Sequence, residues 1–273
     1  MMKSLYYEGD SFLHRLNPLT KIVATAPLII FLALVTDPWT PVLFILLCGL
    51  TTVVLGKIPL KQYLKTVAPL LFFVTGFLIV YPLVVSSERV AGTPIVLELG
   101  PLVVRQGGVV FGIATALRVI SLILGSLLFV LTTDSADFIR ALIQQWRLPY
   151  RIGYGAMAAY RFVPMLNSEL AVIRAAHKVR GISDKGGLRA QYDRARRYAV
   201  PLLATAIRKA ERTALAMDGR AFGAFEERTY YRRMVFAARD WWFVAIFWLV
   251  SLALILILKQ TGLLGPLVLL QSF

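Results

Sequence analysis

The sequence predicts an all-α fold: a polytopic membrane protein with about five transmembrane helices and one long cytoplasmic helical region. Hydrophobic residues fill 58% of the 273 positions and charged residues only 16%, against roughly 45–50% and about 25% in soluble domains. Residues 134–240 break the apolar pattern, because they hold 20 of the 30 Lys and Arg residues and 10 of the 15 Asp and Glu residues. We therefore predict three parts: N-terminal membrane helices (1–133), the cytoplasmic helical region (134–240), and a C-terminal membrane helix with its tail (241–273).

The apolar runs predict the individual spans in order. Residues 1–21 carry charges and no apolar core, so we expect a cytoplasmic lead and not a cleavable signal peptide. Uncharged runs that approach the roughly 17–25 residues of a membrane helix follow at 22–36, 38–56, 67–85, 108–133 (interrupted by Arg118) and 241–258. Between the third and fourth spans, residues 86–107 are predicted to form an outer loop whose charges cancel.

Basic residues fall on one side of this five-helix arrangement. They precede the first span, follow the second and fill the region after the fourth: Lys3, Arg15, Lys21, Lys57, Lys61, Lys65 and the stretch 134–240. Positive charge gathers on the cytoplasmic side of a membrane protein. The N-terminus and residues 134–240 are therefore predicted to lie inside the cell, with the helices in the cell membrane.

The polar stretch itself has helical signals. Asp134 or Ser135 is a candidate N-cap for its first helix. A second helical run passes through Pro164, and a third, from about residue 191 to 220, passes through Pro201. A proline inside a helix removes one backbone hydrogen bond and clashes with the preceding turn, so we expect a kink or a break at each of these positions.

Two short segments of this region resemble each other, 40 positions apart. They are Val179-Arg180-Gly181 and Gly219-Arg220-Ala221. An arginine between small or apolar neighbours can be presented at a helix end without crowding, and its planar fork suits a carboxylate or carbonyl of a partner. We interpret both segments as contacts for another protein.

Motifs that would indicate catalysis fail on inspection. Residues 153–158 fit the dinucleotide pattern G-x-G-x-x-A, but no strand precedes them and no βαβ unit is predicted. Gly56-Lys57 cannot belong to a P-loop, because Thr51 stands where its first glycine should be. His14 and His177 are the only histidines and neither has a second ligand at metal spacing. We predict a non-catalytic chain without a cofactor or metal.

Arg118 is an exception within the apolar runs. It lies about 15 residues, or roughly 22 Å along a helix, from the predicted cytoplasmic end of its span. An unpaired arginine at mid-membrane costs at least about 2.5–3.5 kcal/mol on insertion scales. We expect it to face a carbonyl, a carboxylate, a cavity or a partner helix, with snorkelling to the outer surface as the alternative.

Four passages, in order along the chain, resemble the transmembrane T component of energy-coupling factor (ECF) transporters, the EcfT/CbiQ-like family. They are Leu13 to Lys21, which is similar to Leu-His-Arg-Leu-Asp-Pro-Arg-Thr-Lys apart from Asn17 and Leu19; Thr132-Thr133-Asp134 to Leu148-Pro149; Tyr160 to Gly181; and Ala214 to Gly223. The last two contain the family's Ala-Arg-Gly motifs, of which this chain keeps only the arginine in both.

The resemblance implies a role and a set of partners. Each arginine-bearing segment would be a coupling helix that docks in a groove of one of two cytoplasmic ABC-type ATPase subunits. A separate membrane S component would bind the substrate, a vitamin or a transition-metal ion, and rest on this chain. ATP-driven closing of the ATPases would push the coupling helices together and tilt the S component, without any nucleic acid or catalysis in this chain.

Two other classes of function stay open. A secondary transporter with its own site would need polar residues clustered in discontinuous helices, and only Arg118 offers one. A membrane-anchored protein that grips anionic lipid or nucleic acid through residues 134–240 would bind in a strongly salt-dependent way. Copurification with nucleotide-binding subunits would separate all three.

Overall fold

The computed structural model describes residues 6–84, 93–99, 102–181, 187–225 and 229–265. Helices dominate it: α1 (Phe12–Arg15), α2 (Pro18–Leu34), α3 (Trp39–Leu50, extended by a π-helical turn over Thr51–Leu55), α4 (Leu60–Val84), α5 (Gln106–Thr132), α6 (Ser135–Gln145), α7 (Tyr150–Val179), α8 (Leu188–Asp218) and α9 (Ala238–Gln260). The predicted all-α class is confirmed, with one short β-hairpin, β1 (Ile95–Leu99) and β2 (Leu102–Arg105), as an addition.

That hairpin corrects the prediction that residues 86–107 are a loop throughout. Its two strands are antiparallel, with Leu99 opposite Leu102 and Ile95 opposite Arg105. Isoleucine and valine fill much of both strands, and β-branched residues favour extended backbone. The two strands lie so close in sequence that a hairpin is the simplest pairing.

The chain forms two compact units. One contains Ser4–Ala141 together with Val235–Phe273 and is called the membrane unit below; the other, Leu142–Met234, is called the coupling unit. The domain boundaries predicted from the sequence, after residues 133 and 240, concern where the membrane ends and stay predictions.

Helix α5 lies at the centre of the membrane unit, in contact with α2, α3 and α4, while α9 packs against α2 and α3. Their shared core is apolar and includes Leu28, Leu32, Phe44, Leu124 and Phe247, each no more than 6% exposed. The side chains come from four different helices, so this core fixes the arrangement of the bundle.

Among the described residues, three helices of the membrane unit are long and apolar enough to cross a membrane: Leu60–Tyr81, Gln106–Thr132 and Ala238–Gln260. Helix α2 and the segment Trp39–Leu55 are shorter apolar helices. Helix α4 begins at Leu60, seven residues before the predicted span. Its first turns carry the exposed Lys61 and Lys65, so the uncharged run begins later than the helix does. An apolar run marks the part of a helix that lipid can surround and not the helix end.

The coupling unit is built on two long helices, and both continue past their prolines. Pro164 lies inside α7 and Pro201 inside α8, so neither helix breaks where we expected a kink or a break. Helix α6 begins at the predicted cap: Asp134 Oδ1 accepts from the Ala136 and Asp137 amides at 2.8 and 3.0 Å.

Candidate functional site

The first arginine segment forms the C-terminal end of α7. The Arg180 amide donates to the Ala176 carbonyl at 3.2 Å and the Gly181 amide to the Lys178 carbonyl at 3.0 Å. Gly181 has φ +79°, the left-handed conformation that commonly ends a helix and that glycine adopts without a Cβ penalty. Val179 is 89% exposed, and Arg180 and Gly181 are exposed as well. The segment is thus presented on an open helix end.

The second segment forms the C-terminal end of α8 in a similar way. The Arg220 and Phe222 amides both donate to the Met217 carbonyl at 3.0 Å. Gly219 and Arg220 are exposed, as is Ala221. Ala221 has φ +56°, so alanine here carries a strain that the family's glycine would avoid; the left-handed form costs an L-residue roughly 1–2 kcal/mol.

Helices α7 and α8 pack against each other in antiparallel directions. Towards the end of α7, the ring centroid of His177 lies 5.4 Å from that of Tyr198. Further back along α7, Glu169 Oε1 accepts from Lys209 Nζ at 2.6 Å. Residue numbers therefore fall along α7 as they rise along α8, which is the signature of an antiparallel pair.

This direction puts the two arginines at opposite ends of the pair. The ring of Phe222, just beyond α8, lies 5.8 Å from the ring of Tyr154 in the second turn of α7. Arg220 is therefore near the beginning of α7, whereas Arg180 ends it. At 1.5 Å per residue, the stretch from Tyr154 to Arg180 separates the two arginines by roughly 40 Å.

Helix α8 has a second apolar side that nothing among the described residues covers. Tyr192, Val200, Leu203, Ile207 and Leu215 are between 57% and 71% exposed. Their spacings of three, four and eight residues belong to one side of a helix, which the exposed Arg196 and Glu211 share at intervals of four. The residues that meet α7 come from another side: Tyr198, Ala206 and Lys209. We call the five exposed residues the α8 stripe.

The α8 stripe is a feature that our reading of the sequence missed. Its signal was present in the spacing of Val200, Leu203 and Ile207. Charged residues between the apolar positions, among them Arg196 and Glu211, obscure that periodicity. A helix with two apolar sides also looks, in sequence, like an ordinary amphipathic one.

Arg118 lies near the middle of α5, in the membrane unit. Its Nε and Nη2 atoms are buried, and they make no hydrogen bond to any residue that the structure describes. Neither of these two atoms thus shows whether Arg118 faces a carbonyl, a carboxylate, a cavity or a partner helix. An intramembrane partner contact stays a prediction.

The remaining sequence candidates have structural roles. Residues 153–158 lie inside α7, so no strand precedes the dinucleotide-like pattern. His14 Nε2 is 2.7 Å from the Tyr7 carbonyl and its Nδ1 is 2.6 Å from Ser11 Oγ. Across the described residues, no group of three or more His, Cys, Asp or Glu side chains could hold a metal ion.

Comparison with known proteins identifies the family. A family model described as "Cobalt transport protein" (CbiQ) matches residues 9–231. The chain belongs to this family of ECF transporter T components.

Curated relatives agree with this placement. The energy-coupling factor transporter transmembrane protein EcfT of Thermosediminibacter oceani is 32% identical over 86% of this chain and 89% of its own. The EcfT proteins of Ruminiclostridium cellulolyticum and Bacillus subtilis are 30% and 29% identical, over 86% and 88% of this chain and 88% and 91% of their own. The T component described here is thus a membrane protein of an ECF transporter.

Proposed function

We propose that this T component transmits ATP-driven movement of two cytoplasmic ATPase subunits to a membrane S component, for uptake of a vitamin or a transition-metal ion. The observation that carries the proposal is the placement of Arg180 and Arg220. Each is exposed at the C-terminal end of a long helix, and the antiparallel packing of α7 and α8 sets them roughly 40 Å apart. Two separate points of this kind suit two separate subunits better than one binding site.

The chemistry of each docking point follows from the arginine. A guanidinium group seated in a groove loses water and must be held by carboxylate or carbonyl oxygens of the partner. The neighbouring residues are small or exposed, so the groove can close around the helix end. In this proposal Val179 and Gly181 border the first arginine, and Gly219 and Ala221 border the second.

The S component needs a surface that does not obstruct the ATPases. The α8 stripe supplies one, because it runs along the helix between its ends and is apolar. Exposed apolar side chains grouped on one side of a helix mark a site for another protein or a membrane. We infer that the S component rests on this stripe.

The proposed arrangement in the membrane follows the charges. The N-terminus and residues 134–240 lie in the cytoplasm, where both ATPases would meet α7 and α8. Trp241 and Trp242, 66% and 68% exposed at the start of α9, suit the membrane interface. ATP hydrolysis takes place in the partner subunits, and this chain acts as a mechanical coupler.

Charge reversal at the two arginines tests the proposal. Arg180→Glu and Arg220→Glu should each weaken copurification of the ATPases, and the double variant should abolish ATP-driven uptake. Truncating one side of a buried, hydrogen-bonded charge pair costs about 2–5 kcal/mol, and reversing its sign should cost more.

Matched controls distinguish docking from general electrostatics. Arg196 and Arg208 are exposed on α8 outside both segments, and their replacement by Glu changes the net charge by the same two units. If all four variants behave alike, attraction to anionic lipid explains the region and the docking proposal is wrong. Loss confined to Arg180 and Arg220, with basal hydrolysis by the separate ATPases unchanged, supports it.

A further inference from the structure

A buried lysine holds the cytoplasmic end of α5. Lys21 is 1% exposed, and its Nζ donates to the Thr132 carbonyl at 2.7 Å and to Thr133 Oγ1 at 3.1 Å. Carbonyls in the last turn of a helix have no partner within the helix, and a positive group there is favourable. One residue earlier, the Leu131 carbonyl accepts from the Tyr7 amide at 3.0 Å. Two points of the N-terminal segment thus bind the end of α5.

A buried aspartate holds the same segment to the beginning of α9. Asp240 is 2% exposed. Its Oδ1 accepts from the Asn17 amide at 2.8 Å, and its Oδ2 accepts from the Ala237 amide at 2.7 Å. The carboxylate therefore caps its own helix and binds, with its other oxygen, the residue that caps α2.

Apolar contacts fix the segment between these two polar points. Leu13 and Leu16 are 0% and 3% exposed and belong to the core of the membrane unit. The ring of Phe12 lies 6.2 Å from that of Phe243 in α9. The segment is thus fixed at several buried points, although Glu8, Gly9 and Asp10 are exposed, and we call residues 6–21 the N-terminal clamp.

The two helix ends held by the clamp flank the points at which the chain passes between its units. The chain leaves the membrane unit after Ala141, within α6 and nine residues beyond the end of α5. It returns at Val235, five residues before Asp240. On the coupling side, the same two stretches of chain are bound to each other. Gln144 donates to the Arg232 carbonyl at 3.0 Å and accepts from the Met234 amide at 2.8 Å.

We propose that the N-terminal clamp makes the ends of α5 and α9 one rigid base, so that movement of the coupling unit is passed to the membrane helices together. Lys21 and Asp240 are its positioning residues. Burying a lysine and an aspartate is unfavourable before they find partners, and apolar packing alone would bind the segment without that cost. Hydrogen bonds also fix the orientation of the segment relative to the two helix ends, and a contact that transmits movement needs a fixed orientation. The inference rests on the proposed coupling function.

Amide hydrogen exchange tests the clamp in the chain by itself. The variants are Lys21→Met, Asp240→Ala and the isosteric Asp240→Asn, which keeps one acceptor oxygen. Loss of a hydrogen bond to a buried charged group should speed exchange of the Asn17 and Ala237 amides about tenfold or more in Asp240→Ala, and less in Asp240→Asn. Lys61→Met, at an exposed position outside the clamp, is the matched control and should leave both amides unchanged.

The same variants test force transmission in the complex that copurifies with the full chain. With the wild-type complex, Mg·ATP should change exchange both at 176–181 and 216–221 and at the ends of α5 and α9. In Asp240→Ala and Lys21→Met we expect the ATP-driven change at 176–181 and 216–221 to remain. The change at the ends of α5 and α9 should fall by at least half, at an unchanged subunit ratio.

Three other outcomes would each contradict a specific part of the proposal. If the variants lower the yield of complex but the ATP-driven change at α5 and α9 survives, the clamp has only a folding role. If they behave like Lys61→Met, the clamp does not position these helices. If no ATPase copurifies with the wild-type chain, the proposed function fails and force transmission fails with it, whatever the exchange of the Asn17 amide shows.

Discussion

The three arginines singled out in this chain experience opposite surroundings. Arg180 and Arg220 end their helices exposed to solvent, where a charge costs nothing until a partner buries it. Arg118 lies within an apolar helix, where its buried Nε and Nη2 atoms make no hydrogen bond to a described residue. Burying an unpaired charge is expensive, so Arg118 carries a cost in the isolated chain that the other two do not.

Arg118→Leu is expected to lower transport or the yield of complex while insertion into the membrane stays intact. Leucine removes the cost of at least about 2.5–3.5 kcal/mol that insertion scales assign to a central arginine, so insertion should not suffer. The substitution also removes the guanidinium group that a partner's carboxylate or carbonyl would bind. The measurements are the amount of chain in the membrane fraction, the subunit ratio and ATP-driven uptake.

Arg118→Lys is the matched control, because it keeps the charge and loses the planar fork. An intermediate effect would indicate that the charge matters and the geometry adds to it. Unchanged uptake and unchanged complex yield in Arg118→Leu would contradict a partner contact and support snorkelling to the outer surface.

At the scale of elements, α8 is unusual because it has two apolar sides. One side packs on α7 within the coupling unit, and the α8 stripe lies exposed on another. Packing on α7 accounts for the helix itself, since most helical stability in proteins comes from one buried face. The exposed stripe adds nothing to that stability in water, which is why we assign it to a partner.

Polar substitution in the stripe should release the S component and leave the ATPases bound. Burying a Leu or Ile side chain contributes about 1.5–3 kcal/mol each, so Leu203→Gln with Ile207→Gln should weaken this contact on the order of 100-fold or more. Copurification of each partner class measures the effect. Tyr231→Gln, at another fully exposed position of the coupling unit, is the control.

Two results would count against this assignment. Loss of the ATPases together with the S component would mean that the substitutions disturb α8 as a whole. Retention of both partners would mean that the stripe faces something else, such as the lipid surface.

Local sequence patterns predicted most elements but few of the contacts between them. The cap at Asp134, the five apolar runs and the helix ends at Arg180 and Arg220 all depend on neighbouring residues. The contacts of Lys21 and Asp240 join positions 111 and 223 residues apart, and no local pattern indicates such pairs. In the sequence, Lys21 was only one of several charges before the first span.

At the scale of the whole molecule, charge and hydropathy divide the chain into a basic stretch and apolar parts on both sides of it. The basic stretch contributes 10 of the 15 units of net positive charge, and most of it falls within the coupling unit. The membrane unit is made from residues on both sides of that stretch, so its core is complete only when the C-terminal helix α9 packs against α2 and α3. A sequence can indicate this division, because composition changes abruptly at its edges, but not the antiparallel order of α7 and α8.

The predicted orientation can be tested over the whole chain with two cysteines. Ile95, at the start of β1, is 50% exposed and belongs to the predicted outer loop, whereas Gly187 precedes α8 with open space around it. The native Cys48 is buried and is replaced by alanine in both variants. A membrane-impermeant maleimide should label Ile95→Cys in right-side-out vesicles and Gly187→Cys only in inverted ones, because loops with excess lysine and arginine stay on the cytoplasmic side. Labelling of both positions from one side would contradict the five-helix arrangement, and with it the access of cytoplasmic ATPases to Arg180 and Arg220.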